Sequence, residues 1–281
     1  MNRRTVLSAG GALAAGMVTV AAAASQTFRT DPFVSAARAP AAADGVKRET
    51  ERLLPGTEHE TPLYAIDPPT DGPAVMVFGG VHGDEHNGID VANEMADWNP
   101  DAGTLVVVPE TNRVAVENEQ REGIDGDLNR MFPLDREPIT DLARGIWDAV
   151  ERYDPDVVLD LHRSLGIFGL HDRYVGQAIF HTPDAHGDDL AASLNEDLVP
   201  WYMPAHRFVA RESTQPSPLL FKKAAHELGS TAYLFETTRF MLDRSTKNAF
   251  TRAAAARVLA LHGLLEMETN TDMDTDTEVA R

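Results

Sequence analysis

The residue types and spacings that could perform chemistry are concentrated in two short segments. His82 is followed three residues later by Glu85 in the segment Gly-Gly-Val-His-Gly-Asp-Glu-His, and the distant segment Leu-Asp-Leu-His ends at His162. A histidine and a carboxylate three residues apart can bind one metal ion from a single turn, and a later histidine can supply the third ligand. Three protein ligands leave a fourth position for water, so this pattern is typical of a catalytic zinc site.

Both groups of candidate ligands follow segments that predict buried strands. The apolar run 74–78 precedes glycines that allow a tight turn, and Ile89, Ala92 and Met95 then continue at helical spacing. A second apolar run, 157–161, leads directly into His162. Open α/β sheets place their ligands at the carboxyl ends of strands, so we expect both groups to lie at one edge of a sheet. The alternative is that these histidines lie on a solvated surface.

A third apolar run, from Thr231 to Phe235, ends in the carboxylate of Glu236. If this run is a strand of the same sheet, Glu236 lies at the same edge as the candidate ligands. A metal hydrolase needs a base beside the attacking water, and Glu236 is the candidate general base. The alternative interpretation is a carboxylate that caps the next turn.

The segment from Gly126 to Pro133 contains an adjacent asparagine and arginine, Asn129 and Arg130. The arginine can bind a carboxylate through a two-pronged, charge-assisted contact, and the asparagine can add its amide. Upstream, Arg121 is a candidate cation for a carbonyl oxygen that becomes an oxyanion. Taken singly, each arginine could instead form a surface ion pair.

The remaining pattern predicts an α/β fold with one sheet between two helix layers. Apolar residues at helical spacing predict helices over 142–153 and 190–198, and a long final helix after Ser245 that reaches Leu265. The chain has 281 residues, 43% of them hydrophobic, which is enough for one sizeable domain.

The charge of the chain limits its partners and suggests its environment. The net charge is −19, which argues against nucleic-acid binding. Acidic residues are spread along the whole sequence, as expected for solvation at high salt, and a halophilic source is predicted. The sequence contains no cysteine, so zinc would be held by nitrogen and oxygen atoms.

Four segments are predicted along the chain. Residues 1–24 contain paired arginines, a Gly- and Ala-rich stretch and a small-residue cleavage site, which indicate a twin-arginine signal peptide. The alternative is a retained membrane anchor. Residues 25–47 are predicted to be a linker or loosely docked arm, 48–266 the catalytic domain, and 267–281 an acidic, disordered tail. We therefore expect an exported protein, extracellular or bound to the cell surface, with no stable membrane insertion after cleavage.

The ordered combination of these motifs resembles the succinylglutamate desuccinylase/aspartoacylase family of zinc hydrolases, which is related to the zinc carboxypeptidases. The resemblance extends from about Gly56 to Leu265. It implies a three-layer α/β/α sandwich around a mixed central sheet, of the phosphorylase/hydrolase-like kind. The two enzymes that name the family carry an additional carboxyl-terminal β-rich part that shapes the pocket, so their exact substrates do not transfer. The motifs that carry the resemblance are His82 with Glu85 after the Gly-Gly pair, Asp127-Leu-Asn-Arg130, Asp160-Leu-His162, and Glu236.

The resemblance also implies a role for each matched residue. His82, Glu85 and His162 bind one zinc ion, and Glu236 activates the water. Asp127 orients the first zinc-binding histidine, as carboxylates that accept a hydrogen bond from a ligating histidine commonly do.

The same resemblance assigns Asn129 and Arg130 to a substrate carboxylate and Arg121 to the scissile carbonyl. The resulting hypothesis is an exported zinc-dependent hydrolase that cleaves an amide near a free carboxylate, most simply by deacylating N-acyl amino acids or related small molecules. Two alternatives remain: a metallocarboxypeptidase acting on short peptides, and a secreted binding protein without turnover. In each case the expected partner is a small molecule or short peptide that carries a carboxylate.

Overall fold

The computed structural model describes residues 45–183 and 185–266. Within these residues eight strands form one mixed sheet, flanked by helices. The predicted signal peptide, the acidic tail and nearly all of the predicted arm lie outside the described residues. The strands are β1 (Lys47–Leu53), β2 (Thr61–Asp67), β3 (Ala74–Phe78), β4 (Thr104–Val108), β5 (Val157–Ser164), β6 (Ala178–His181), β7 (Val209–Glu212) and β8 (Thr231–Thr238). The helices are α1 (His86–Met95), α2 (Arg113–Glu117), α3 (Asp141–Tyr153), α4 (Gly187–Asp197), α5 (Leu220–Glu227) and α6 (Arg244–Leu261), with short 3₁₀ turns at Leu128–Arg130 and Pro204–His206.

The strand order places the predicted site elements side by side. The sheet runs β1-β2-β4-β3-β5-β8-β6-β7. The four central strands β4, β3, β5 and β8 are mutually parallel, whereas β2 and β6 pair antiparallel with β4 and β8. The carboxyl ends of β3, β5 and β8 therefore meet at one edge of the sheet, as the sequence predicted.

Helices cover both faces of this sheet, so the predicted three-layer α/β/α fold is confirmed. Because side chains alternate along a strand, Val75 and Val77 of β3 face one core, whereas Met76 and Phe78 face the other. Helices α1, α4 and α6 pack on the first face, and α3 and α5 pack on the second. The central strands are buried on both sides, which explains their continuous apolar runs.

The helix predictions hold for position but not for every end. Helix α3 begins after Thr140, whose side chain accepts a hydrogen bond from the backbone of Ala143. The final helix was predicted too long: it ends at Leu261, and Gly263 follows with a φ of 78°. A glycine in this left-handed conformation ends a helix because a right-handed turn cannot continue through it. Among the described residues, no helix combines the length and apolarity needed to cross a membrane.

One glycine determines how closely the site elements approach. Gly88 lies in the first turn of α1, and a Cβ atom there would come within 2.3 Å of the backbone oxygen of Leu161 in β5. Only glycine allows this contact between α1 and β5. It brings the start of α1, where Glu85 lies, against the residue that precedes His162.

Candidate metal and catalytic site

The three predicted metal ligands converge at the carboxyl edge of the sheet. His82 lies in the loop after β3, Glu85 immediately precedes α1, and His162 lies in the last half of β5. Each offers one ligand atom, and these atoms all lie within 4.8 Å of one another. All three side chains are buried. The fold therefore places two histidines and one carboxylate from separate segments around a single space.

The orientation of the imidazole rings fits a metal ion. Nδ1 of His82 lies 3.0 Å from Oε1 of Glu85, and Nδ1 of His162 lies 2.8 Å from Oε2 of the same carboxylate. The opposite ring nitrogen of His82, Nε2, lies 2.9 Å from Oδ1 of Asp127. With Nε2 held by a carboxylate, Nδ1 is the unprotonated nitrogen available to an ion. A set of two imidazoles and one carboxylate is suited to zinc.

The charges inside this cluster stabilise one another despite burial. Burial alone would raise the pKa of Glu85, but His162 and His82 hold that pKa well below its usual range. Burial alone would lower the pKa of His162, but the carboxylates of Asp160 and Glu85 raise it well above its usual range. The histidines thus keep Glu85 ionised, although burial alone would favour its protonated form. Metal binding requires an ionised carboxylate.

Glu236 lies beside the ligand cluster, on the neighbouring strand. It is the register partner of His162 in the parallel pair of β5 and β8, so both side chains leave the same face of the sheet. Its Oε2 atom is buried and has no hydrogen-bond partner among the described residues. Burial raises the pKa of Glu236 to about 8, and the Glu85 carboxylate adds to this rise. A carboxyl group with a raised pKa next to a metal-binding cluster has the properties of a general acid or base.

The predicted arginines border the same space. Nη1 of Arg121 donates to Oε1 of Glu85 at 3.2 Å, and Nη2 lies 3.4 Å from Oδ2 of Asp127. The side chain of Arg121 is 49% exposed and that of Arg130 is 57% exposed. Nη2 of Arg130 is 4.0 Å from Oδ2 of Asp127. Both guanidinium groups therefore have donors left for a ligand.

Asn129 occupies a different environment from its neighbour Arg130. It is buried, and its Nδ2 atom lies 3.1 Å from Nε2 of His162. The 3₁₀ turn that carries it begins at Asp127, whose side chain accepts a hydrogen bond from the backbone of Asn129. The amide of Asn129 thus contacts a candidate metal ligand. Of the two neighbours, Arg130 is the more exposed and is therefore the better placed to bind a substrate.

Three residues at the site were given no role in the sequence analysis. Asp160 is fully buried, and its Oδ1 atom lies 3.0 Å from Nε2 of His162, at ion-pair distance but not in hydrogen-bond geometry. Asn87 donates from Nδ2 to the backbone oxygen of His162 at 3.0 Å. Arg163 donates from its backbone N–H to Oε2 of Glu85 at 2.9 Å. Asp160 had a usable signal, because residues two apart on a strand share a face.

Residues 71–169 match the Succinylglutamate desuccinylase/Aspartoacylase catalytic domain. An N-alpha-acetyl-L-2,4-diaminobutyric acid deacetylase from Halomonas elongata is 32% identical in an alignment of 132 positions that covers 43% of this chain. The match spans only 38% of the length of that relative.

Solved structures extend the likeness beyond the matched segment. A succinylglutamate desuccinylase from a Silicibacter species aligns with a TM-score of 0.57 at 22% identity, over 81% of this chain and 70% of that one. The D,L-carboxypeptidase Csd4 from Helicobacter pylori aligns with a TM-score of 0.58 at 20% identity, over 69% of this chain and 51% of that one. At these identities the likeness establishes the fold.

These findings confirm the resemblance to the succinylglutamate desuccinylase/aspartoacylase family. The chain has the α/β fold that this family shares with carboxypeptidase-like proteins such as Csd4. The matched segment 71–169 includes all three residues that could hold a metal ion.

Proposed function

We propose that this chain is a zinc-dependent hydrolase that cleaves an amide bond near a free carboxylate. The observation that carries the proposal is the convergence of His82, Glu85 and His162 beside Glu236, whose Oε2 atom is buried and has no hydrogen-bond partner among the described residues. Three ligands with an adjacent base form the minimum site for metal-assisted hydrolysis. The family match of residues 71–169 supports the same class of reaction.

Zinc is the proposed metal because the donor set contains nitrogen and oxygen in the number found at catalytic zinc sites. When bound, zinc supplies Lewis acidity and lowers the pKa of a water molecule to near neutrality. Asp127 keeps His82 in the orientation and tautomer that present Nδ1 to the ion, since it accepts from Nε2. Asp160 lies at the corresponding ring nitrogen of His162.

The remaining residues divide the work of the reaction. Glu236 accepts a proton from the attacking water and returns it to the leaving amine. Arg121 stabilises the negative charge that develops on the carbonyl oxygen, because its guanidinium borders the ligand cluster and remains partly exposed. Arg130 binds the substrate carboxylate with donors that the protein leaves unused, and Asn129 supports that contact from beside His162.

Deacylation of an N-acyl amino acid, or of a related small molecule, is the favoured reaction. Support comes from the sequence likeness to a deacetylase of an N-acetylated diamino acid, which exceeds the identity of each structural neighbour reported above. Carboxypeptidase action would use the same groups, but the substrate carboxylate would then lie on the amine side of the scissile bond. The two reactions therefore differ in which part of the substrate, the acyl group or the amine-side residue, carries the carboxylate that Arg130 binds.

We further propose that the protein is exported through the twin-arginine pathway and works at high salt. The support is the paired arginines near the amino terminus and the net charge of −19. Amino-terminal sequencing of protein from the native host should find a start near Ser25, outside the cytoplasm. Recovery of full-length protein from the cytoplasm would contradict export.

The decisive experiment is an activity screen of purified protein at high salt. Metal is removed with a chelator, zinc is restored, and hydrolysis is measured for N-acetyl and N-succinyl amino acids beside short peptides. We expect activity that depends on zinc and is highest for an N-acyl amino acid. Preference for peptides would establish the carboxypeptidase alternative, and stoichiometric metal binding without turnover on any substrate would favour a binding protein.

A further inference from the structure

The two segments that carry the candidate metal ligands are joined by the residues next to those ligands. Arg163 directly follows His162, and Asp84 directly precedes Glu85. Nη2 of Arg163 donates to Oδ2 of Asp84 at 3.0 Å. The backbone N–H of Arg163 also donates to Oε2 of Glu85 at 2.9 Å. We propose that the Asp84–Arg163 ion pair is a positioning element that holds Glu85 in metal-binding geometry and thereby raises the metal affinity of the site.

Strand geometry explains how the Arg163 side chain can hold the Glu85 segment in place without entering the space between the candidate metal ligands. Successive residues of β5 face opposite sides of the sheet, so His162 faces the helix layer of α3 and α5 whereas Arg163 faces that of α1 and α6. Arg163 therefore reaches Asp84 from behind the ligand cluster. Its influence on the site passes through Glu85, which makes it a positioning residue rather than a catalytic one.

The ion pair is shielded enough to have a measurable effect. The side chain of Arg163 is 10% exposed and that of Asp84 is 31% exposed. Exposed ion pairs contribute little because water and salt screen them, and this screening weakens as the partners are buried. At any given salt concentration, a shielded pair keeps more of its strength than an exposed surface pair does.

The residues around Arg163 make a carboxylate partner important, because other cations lie near its buried guanidinium. The neighbouring cations Arg239 and Lys247 repel the Arg163 guanidinium, whereas the carboxylates of Asp84 and Glu85 attract it. Asp84 is thus the side chain that compensates a buried cation lying among other cations, and its loss would leave that cation unpaired beside the ligand loop.

The helix that follows Glu85 holds its backbone, since the Glu85 oxygen accepts from the Gly88 N–H at 3.1 Å, but it does not hold the side chain. Glu85 precedes α1 with φ −96° and ψ 64°, and its side chain makes no capping hydrogen bond. Several contacts that hold the segment come from β5: the Arg163 backbone to Glu85, the Arg163 side chain to Asp84, and Asn87 to the His162 backbone. Outside β5, His82 and Arg121 contact Oε1 of Glu85. A carboxylate that is already held in position loses less conformational entropy when it binds the metal than a mobile one does, so the metal affinity is higher.

The test compares zinc affinity in Asp84→Asn, Arg163→Ala and the conservative Arg163→Lys, measured by competition with a chromophoric zinc chelator. The matched control is Asp90→Asn, which breaks the Asp90–Arg244 ion pair between α1 and α6 without contacting a ligand. We expect Asp84→Asn and Arg163→Ala each to weaken zinc binding by roughly ten- to a hundredfold, the usual range for groups that orient metal ligands. The control should retain wild-type affinity.

Further readouts separate positioning from general destabilisation. At saturating zinc, turnover by Asp84→Asn should return close to the wild-type value, and the double variant Asp84→Asn/Arg163→Ala should lose no more affinity than either single variant. Arg163→Lys should retain part of the affinity and serves as the test if Arg163→Ala does not fold. Wild-type affinity in Asp84→Asn, or an equal loss in Asp90→Asn, overturns the proposal.

The inference rests on the proposed function in one respect, that the site binds zinc. Failure of the wild-type protein to compete with the chelator would contradict the proposed function itself. Tight zinc binding by the wild type together with unchanged affinity in the variants would contradict only the role of the ion pair. The two failures are therefore distinguishable.

Discussion

Strand β8 carries two buried polar clusters that lie only three residues apart but on opposite faces. At its carboxyl end, Glu236 joins the histidines and carboxylates of the candidate metal site. On the other face, the Tyr233 hydroxyl donates to the backbone oxygen of Ala185 and lies 2.9 Å from Nε2 of His262. Both clusters are largely closed to solvent, so burial alone does not distinguish them.

The difference between them is whether burial or charged partners have the larger effect. In the second cluster, burial lowers the pKa of His262 and raises that of Tyr233, so both groups stay neutral. In the first cluster, burial also disfavours the charged forms of His162 and Glu85. It is outweighed by the attraction of Asp160 and Glu85 for His162, and of His162 and His82 for Glu85. Glu236 differs from both, because burial and the Glu85 carboxylate both raise its pKa. Partners, more than burial, decide which buried groups remain charged.

The largest expected effect comes from removing the carboxylate of Glu236. Glu236→Gln keeps the shape of the side chain but cannot accept a proton, so kcat should fall by roughly 10²- to 10⁴-fold while zinc binding and folding persist. Steady-state kinetics at saturating zinc, with a metal-content measurement, tests this. Glu196→Gln, on the exposed side of α4, is the matched control and should be silent. Near wild-type turnover in Glu236→Gln would remove Glu236 from the mechanism.

A smaller effect is expected at the substrate carboxylate. Losing the charge-assisted contact of Arg130 should cost about 1.5–3 kcal/mol, or roughly ten- to a hundredfold in kcat/KM, in Arg130→Ala. Arg130→Lys should also be impaired, because an ammonium group lacks the planar pair of donors. Arg136→Ala, on an exposed loop, provides the matched control.

Substrate chemistry provides the second half of this test. Wild-type protein should discriminate strongly against a substrate whose carboxylate has been converted to a neutral amide, and Arg130→Ala should lose most of that discrimination. If the wild type hydrolyses acid and amide equally well, Arg130 does not bind a carboxylate, and the choice of substrate class loses its basis.

The smallest effect is expected in the uncharged cluster and concerns pH. The folded-state pKa of His262 lies below its ordinary value of about 6.5, so the unfolded chain takes up this proton first as the pH falls. The stability that His262 contributes is therefore present above about pH 6.5 and is lost as the pH falls through the folded-state value. Thermal unfolding at pH 8 and pH 5 should show a larger loss for wild type than for His262→Gln. The exposed His171→Gln should lose as much as wild type, and equal losses in all three proteins would refute the effect.

Periodicity in the sequence was enough to predict the elements that carry the site. The runs 74–78, 157–161 and 231–235 are strands because each is a continuous apolar segment, as strands buried on both faces must be. The strands at the sheet margins were not identified. Strand β1, for example, is polar and mostly exposed, so its pairing with β2 depends on backbone hydrogen bonds that leave no pattern in composition.

The sequence by itself determined which residues could bind a metal, because ligand chemistry depends on residue type and His82 and Glu85 are close along the chain. Tertiary structure decided the rest. It brought His162 to them by pairing β3 with β5, and it placed Glu236 opposite His162 through the register of β5 and β8. It also set the pKa of each group, because the distance between charges and their exclusion from water exist only once the sheet has formed.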